Sequence, residues 1–364
     1  MRKSMDRTGR GVVCALASLA LSAALSSAVA APAVRESARI PFTERYHATQ
    51  HGGIARAANS SVTCKTAAGR TATPCAAVQQ GGAGANGHYR MAYIDVDSDA
   101  RTANSSSATL RIPAGSRVSY ARLYWGGSLR GSGQKAAKDN GRVLLAEPGG
   151  RYRQVRADTM TGHRPHSATE GFQASAEVTG LVRNSGGGAY TVAQINMATG
   201  HSPAGVWGGW TLVAAYENKK QPLRRIALWD GFQSLGADRR ELSVRLPGLR
   251  IPANSHGLAG VVAYDGDRGH GNDTLTVRAG QHRTHTVRDT ANPANDVMNS
   301  TVTDFGRPTM RWPAYRNTLG FDSDVFDITP ALRSGGDRLT FRFTTTRNPG
   351  YLLGALFVQT DTRR

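Results

Sequence analysis

The 364-residue sequence lacks any long stretch in which apolar residues recur with the 3.6-residue period of an amphipathic helix. This excludes a helical bundle. The nearest stretches, Val178 to Arg183 and Asp327 to Arg333, span a turn or two before a Ser-Gly-Gly sequence. Short β-prone segments alternate with turns rich in glycine, of which there are 42. This pattern predicts an all-β protein made of β-sandwich or jelly-roll-like lobes.

Motifs of known catalytic chemistry are also missing. The sequence has no GxSxG nucleophile elbow and no HExxH zinc motif. Its glutamates are few and separately placed, so only folding could bring two of them to the separation that glycosidases use. The sequence therefore favours a non-enzymatic protein, with a secreted carbohydrate-active hydrolase as the alternative.

The N-terminus has the pattern of a secretory signal peptide. Basic residues precede an Ala/Leu/Val run from Gly11 to Val29, and Ala28-Val29-Ala30 forms a small-x-small cleavage site. We assign residues 1–30 to the signal peptide and expect no transmembrane segment after its cleavage. The C-terminal residues carry neither an LPxTG-type sorting signal nor an apolar tail. We expect a secreted protein, released or held non-covalently at the cell surface.

Cysteine is scarce, with three residues in the whole chain. Removal of the signal peptide leaves Cys64 and Cys75. An isolated, closely spaced pair in an exported protein predicts one disulfide bond that closes a short loop.

Acidic residues are outnumbered by basic ones, 26 to 45, which gives a formal net charge of +19. The signal peptide accounts for +3, and +16 remains afterwards. Such a surplus favours polyanionic partners such as cell-wall polymers or acidic glycans. The arginines are scattered and accompany no recognised nucleic-acid motif, so we expect no specific binding of nucleic acid.

Two parts of the chain resemble each other. IPAGSRVSYARLYWGGS (Ile112 to Ser128) matches IPANSHGLAGVVAYDGD (Ile251 to Asp267), and AEVTGLVRNSGGGAYTV (Ala176 to Val192) matches FDITPALRSGGDRLTF (Phe326 to Phe341). The order and spacing of the matches predict an internal duplication into two related lobes, because units this long fit paired domains.

These matches set the predicted boundaries. Residues 31–87 are interpreted as a leader with a disulfide loop and a flexible Gly-rich linker, residues 88–218 as the first lobe and residues 219–364 as the second. The boundary between the lobes falls in the segment from Trp207 to Phe232, WGGWTLVAAYENKKQPLRRIALWDGF. We interpret this segment as a strand, a polar connector and a second strand that ends in a turn at Asp230-Gly231.

The segments YIDVDSDARTANSSSATLRIPAGSRVSYARLYWGG, GGWTLVAAYENKKQPLRRIALWDGF and YDGDRGHGNDTL resemble a domain of unknown function. That domain occurs in secreted and surface proteins of Gram-positive bacteria, especially actinomycetes, where it often precedes adhesin-like repeats. The resemblance extends from about Thr63 to Gln359 and implies a non-catalytic, extracellular surface role. It implies no catalytic residues.

Three acidic clusters are candidate calcium sites, because loops between strands can gather carboxylates and carbonyls. The best is Asp265, Asp267 and Asp273, whose intervening glycines let the backbone turn its carbonyls inward. The second cluster consists of Asp95, Asp97 and Asp99, and the third consists of Asp322, Asp324 and Asp327. Turn formation by aspartate is the alternative for all three.

Histidine pairs at His163/His166 and His282/His285 lack a nearby third ligand, so we interpret them as solvated rather than zinc-binding. Tryptophan faces suit sugar rings. Trp207 and Trp312 lie next to Gly or Pro and are the candidates for a ligand-contact surface, whereas Trp210 and Trp229 are expected in the core.

Together these features predict a secreted, non-catalytic binding protein of the cell surface that contacts cell-wall polymers or glycans. A structural component of the cell or spore surface without a soluble ligand is a further alternative. Nothing in the sequence specifies the oligomeric state.

Overall fold

Strands dominate the computed structural model, which describes residues 41–134, 136–137, 139–166, 169–348 and 350–363 but not the side chains of 163–166 and 169. The predicted signal peptide lies outside these ranges. The described strands, in chain order, are β1 (Thr43–Ser60), β2 (Val62–Ala67), β3 (Tyr89–Tyr93), β4 (Ser105–Leu110), β5 (Arg117–Ser128), β6 (Arg142–Ala146), β7 (Tyr152–Arg156), β8 (Thr159–His166), β9 (Thr169–Glu177), β10 (Gly188–Ala193), β11 (Gly208–Glu217), β12 (Leu223–Leu235), β13 (Glu241–Leu246), β14 (Gly257–Tyr264), β15 (Asp273–Ala279), β16 (His285–Thr286), β17 (Thr303–Asp304), β18 (Arg307–Pro308), β19 (Arg311–Trp312), β20 (Phe321–Asp327), β21 (Leu339–Thr345) and β22 (Tyr351–Asp361).

Helical structure is confined to short pieces. The helices are α1 (Cys75–Gln79) and α2 (Thr179–Ser185), and there are 3-10 turns at Asn86–His88 and Thr329–Leu332. Within the part of the chain that the structure describes, no helix is long and apolar enough to cross a membrane. The all-β prediction is confirmed.

Eleven strands form one long sheet in the order β18-β17-β20-β14-β22-β12-β1-β11-β5-β9-β8. The five-stranded sheet β19-β4-β10-β6-β7 covers one part of it, and the four-stranded sheet β13-β21-β15-β16 covers another. Leu123 and Leu212 of the long sheet pack with Leu145 and Val192 in the first core. The second core lies under the four-stranded sheet and includes Val261, Leu356, Phe341 and Val277. The result is two β-sandwich lobes joined by a shared sheet.

Strand order is the same in the two lobes. The order β9-β5-β11-β1 on one side corresponds to β20-β14-β22-β12 on the other, and β4-β10-β6-β7 corresponds to β13-β21-β15-β16. The segments that match in sequence belong to equivalent strands, β5 with β14 and β10 with β21. Their origin by duplication stays a prediction.

The strand at the middle of the long sheet, β1, corrects the predicted boundaries. Thr43 to His51 pairs with β12, and Gly52 to Ser60 pairs with β11, so β1 connects the lobes instead of belonging to a leader. A Cβ atom at Gly52 would collide with the carbonyl oxygen of Tyr216, so the close approach of β1 and β11 requires glycine there. The sequence analysis did not predict β1, because its buried half consists mostly of alanine and small polar residues, which do not form the apolar pattern of a buried strand.

The segment from Gln79 to Gly87 is packed, although the sequence predicted a flexible linker. Ala85 and Asn86 are buried, and the amide of Gly84 donates to the Arg268 carbonyl at 3.1 Å. The disulfide between Cys64 and Cys75 is confirmed, with a Cα–Cα distance of 5.8 Å. The hydrogen bond from Gly84 to Arg268, and not the disulfide, ties this segment to the second lobe.

The two halves of the long sheet also pack against each other. A third core combines Tyr124 of the first lobe with Tyr264 and Phe357 of the second. The Tyr124 hydroxyl donates to Asp230 at 2.8 Å, and Arg45 pairs with the same carboxylate at 2.9 Å. Asp230 and Gly231 therefore lie inside β12, at a local irregularity in its pairing with β22, rather than in the predicted turn.

Candidate ligand-binding face

Three large apolar side chains are exposed among the described residues, and all of them fall within eight positions. Phe305 is 51% exposed, Met310 57% and Trp312 66%. We call these three residues the exposed ridge. Scattered apolar side chains are normal on a protein surface, whereas a group of them indicates a contact surface.

Trp207, the other predicted contact residue, is fully buried, so it does not belong to a contact surface. Its ring packs beside Tyr264 with the ring centroids 5.1 Å apart. A Cβ atom at Gly171 or Gly320 would lie 2.6 or 2.7 Å from Trp207 atoms. The surrounding glycines therefore make room for a buried ring, whereas the sequence analysis interpreted the neighbouring glycine as a sign of exposure.

A short hairpin holds Phe305, whereas Trp312 lies in β19, which pairs with β4. Thr303 pairs with Pro308 and Asp304 pairs with Arg307, which leaves Phe305 and Gly306 at the turn. Phe305 adopts φ 54°, and its amide donates to the Val325 carbonyl at 2.7 Å. A bulky residue with positive φ is uncommon and marks a local conformation that the surrounding structure imposes.

A cavity of about 390 Å³ lies beside the ridge. Phe305 and Met310 contribute to its wall, and Ile54, Val325 and Phe357 add further apolar lining. Three arginines share the lining: Arg56, Arg111 and Arg307. The cavity is therefore apolar and cationic at once.

Arg56 is the buried member of this group. Its Nη2 donates to the Thr303 carbonyl and to Asp304 Oδ1, both at 2.6 Å. Its Nε and Nη1 have no hydrogen-bond partner in the described part of the chain. A buried donor without a partner costs free energy, which an anionic ligand group would recover.

The residues predicted to bind calcium contact donors of the protein itself. Asp265 Oδ1 accepts from the side-chain amide of Asn86 at 2.9 Å, and Asp267 Oδ1 accepts from the Asn86 backbone amide at 2.9 Å. Arg347 pairs with Asp267 at 2.9 Å. Burial, and secondarily the charge of Asp267, raises the pKa of Asp265 well above its ordinary value.

Asp273, the third predicted ligand, accepts from the amides of Val297 at 2.6 Å and Met298 at 2.9 Å. Across the described ranges, no group of three or more His, Cys, Asp or Glu side chains is arranged to hold a metal ion. The calcium site stays a prediction. Of the histidine pairs, His282 is exposed and His285 half-buried, and the side chains of His163 and His166 lie outside the described structure.

The sequence analysis missed Phe305, Met310 and Arg56. A signal does exist in TDFGRPTMRWPAYR (Thr303 to Arg316), where large apolar residues alternate with arginine, glycine and proline without strand periodicity. Large apolar residues with no strand or helix to bury them are candidates for exposure. Arg56 gives no such signal, because its position in the cavity depends on pairing between distant strands.

Comparisons with known proteins give only remote similarities. No protein-family profile matches the sequence, and no curated protein matches it. A peptide-N(4)-(N-acetyl-β-D-glucosaminyl)asparagine amidase structure is 12% identical, covers 71% of this chain and 91% of its own, and has a TM-score of 0.24. Quercetin 2,3-dioxygenase from Acinetobacter baumannii is 8% identical over 86% of this chain and 87% of its own, with a TM-score of 0.19. The structure of Sulfolobus turreted icosahedral virus gives 10% identity, 70% and 85% coverage and a TM-score of 0.20.

Proposed function

We propose that the protein is a secreted, non-catalytic binding protein that attaches to an anionic wall polymer or glycan of the cell surface through the exposed ridge. The observation that carries this proposal is the position of the ridge beside an arginine-lined cavity. Aromatic faces pack on sugar rings and polyol chains, and guanidinium groups bind phosphate or carboxylate. Both elements of such a ligand thus have a counterpart on one face.

The charge of this face supports an anionic ligand. Arg111 and Arg307 are exposed and form no ion pair within the described residues. Asp304 is the one carboxylate in the described cavity lining, and it pairs with Arg56. The net charge of +16 that remains after removal of the predicted signal peptide adds attraction at long range.

The same cavity favours binding over hydrolysis. Hydrolases of glycosides use two carboxylates at a defined separation on either side of the scissile bond. The described lining of the 390 Å³ cavity offers only Asp304, which is engaged with a buried arginine. The family resemblance, which implies a surface role, agrees with this reading.

Retention on purified cell walls and insoluble glycans, at low and high salt, tests the proposal. We expect retention at both salt concentrations, with about tenfold weaker binding for Trp312→Ala, because truncating an aromatic contact removes 1.4 kcal/mol or more. His282→Ala, which truncates another exposed ring, is the matched control and should bind like the unmodified protein.

Two outcomes would overturn the proposal. Binding that disappears at high salt and does not change with Trp312→Ala would show attraction by net charge alone. No retention at either salt concentration would favour a structural role at the cell or spore surface.

A further inference from the structure

A second cavity, of about 220 Å³, lies at the same hairpin. Pro308 lines both cavities, so the two are neighbours. The polar lining of the second cavity consists of three arginines and three threonines, and the described residues contribute no carboxylate to it: Arg268, Arg311, Arg316, Thr290, Thr301 and Thr303. We call it the arginine cavity.

Arg311 is the buried cation of the arginine cavity, with 9% of its surface exposed. Its Nη1 donates to Asn59 Oδ1 at 3.2 Å and to the Pro313 carbonyl at 3.4 Å, and its Nη2 donates to the Tyr315 carbonyl. All three acceptors are neutral. The Nε–H group has no partner in the described structure.

The charge of Arg311 is only weakly compensated. Burial, and then the nearby positive charge of Arg56, lowers the pKa of Arg311 to about 10, while Asp324 acts in the opposite direction. Buried charges are normally paired, because desolvation without a partner costs several kcal/mol. An anion beside Arg311 would supply the missing partner.

Arg268 and Arg316 add two more guanidinium groups. Arg316 is exposed and Arg268 is half-buried, and Arg268 Nη1 donates to the Arg316 carbonyl at 3.5 Å. Neither forms a salt bridge within the ranges that the structure describes. The positive charge of Arg268 acts on Asp296, whose carboxylate accepts from the amides of Gly269 and Gly271.

We infer that the arginine cavity binds a tetrahedral oxyanion, the phosphate or sulfate group of a larger ligand. Guanidinium groups bind such anions through two parallel N–H donors, which also satisfies an Nε–H group like that of Arg311. The volume corresponds to about seven water molecules, enough for one oxyanion and part of its substituent. The inference deepens the proposed function, because a polymer lying along the exposed ridge would place a charged group here.

Titration of the purified protein with inorganic phosphate and with sulfate tests the site, at an ionic strength held constant with chloride. We expect both anions to raise the melting temperature more than chloride does, and calorimetry to detect binding. Arg316→Gln and Arg268→Gln should each weaken the apparent affinity about tenfold, the effect of losing one charged hydrogen bond. Arg245→Gln, an exposed arginine on β13, is the matched control.

The variants also separate binding from the general stabilising effect of these anions on proteins. That effect would be equal in all variants, so identical titrations of Arg316→Gln, Arg268→Gln and the unmodified protein would overturn the inference. Arg311→Lys tests the buried position while keeping its charge, and we expect weaker binding at an unchanged fold. If it unfolds, the two exposed variants still decide the question.

Polymers distinguish the source of the oxyanion and separate this inference from the proposed function. A poly(glycerol phosphate) and a sulfated polysaccharide, compared at equal charge, show which group is preferred. Wall retention that depends on Trp312, without specific phosphate or sulfate binding, would support the proposed function and contradict anion binding in the arginine cavity. Specific anion binding without wall retention would support the arginine cavity as an anion site and contradict the proposed function.

Discussion

Burial is the largest cause that raises the pKa of five aspartates in the second lobe: Asp265, Asp273, Asp296, Asp322 and Asp324. Most of them hold the loop from Asp289 to Thr303 through its backbone amides. Asp324 Oδ1, for example, accepts from the amide of Thr303 at 2.8 Å, and Asp322 Oδ1 accepts from that of Thr301 at 3.1 Å. The loop lines the arginine cavity, and its backbone amides donate to these carboxylates instead of to a neighbouring strand.

We expect stability to decrease as pH rises from about 4 to 8. Burial raises the pKa of Asp273 to about 6 and of Asp324 to about 7, from 3.8. The folded protein keeps these protons where the unfolded chain has released them, so the stabilisation is complete below pH 4 and is lost above the raised pKa values. For Asp273 alone the loss is on the order of 3 kcal/mol.

Urea unfolding at pH 5 and pH 8 measures this effect. Asp324→Asn keeps a hydrogen-bond acceptor but removes the charge, so its stability should depend less on pH, whereas Asp238→Asn at an exposed site should behave like the unmodified protein. Greater stability at pH 8 than at pH 5 would contradict the prediction. Added calcium at pH 8 would offset the loss if the predicted site at Asp265, Asp267 and Asp273 exists, because a bound dication favours ionised carboxylates.

Among the elements, β1 carries the largest difference between expectation and structure. Its second half, Gly52 to Ser60, is buried except for Ile54, which is half-buried, and it separates β11 from β12. The sequence predicted β11 and the first part of β12, although it ended the second strand at a turn at Asp230-Gly231. It could not predict their separation, because the order of the strands depends on pairing between residues 149 to 187 positions apart and leaves no local signal.

Replacement of Ala58 by Asp should destabilise the protein by more than about 4 kcal/mol, because Ala58 is fully buried in the core between the lobes and an unpaired carboxylate there cannot be solvated. Thr49→Asp in the same strand is exposed and should change stability by less than about 1 kcal/mol. Urea unfolding and soluble yield report both effects. Equal behaviour of the two variants would support the leader interpretation of residues 43–60.

At the scale of the whole molecule, the lobes share one sheet and one core. The side-chain amide of Gln173 in the first lobe donates to the Gly231 carbonyl of the second at 2.8 Å, beside the buried Asp230 network. The matched sequence segments predicted two related β-sandwich lobes; the all-β sandwich fold is confirmed, and the duplication stays a prediction. Their fusion through β1 was not predictable, since repeats of this length usually form separate domains.

We therefore expect one cooperative unfolding transition, with near-UV circular dichroism and calorimetry giving the same midpoint. Separate expression of residues 88–218 or 219–364 should give chains that do not fold, because each lacks β1 and exposes half of the shared core. Two resolved transitions, or a folded fragment 219–364, would show that the lobes are independent.

The sequence alone determined the all-β class and the disulfide between Cys64 and Cys75. These depend on local patterns, namely residue alternation, glycine turns and the pairing of the two cysteines. Only the tertiary structure decided which tryptophan is exposed and which arginines meet at a cavity. Trp207 and Trp312 have similar neighbours in the chain, but glycines from distant segments enclose the first, whereas the second lies in the two-residue strand β19 at the edge of the five-stranded sheet and is left uncovered. Burial is a property of what packs on a side chain, and distant segments supply that packing.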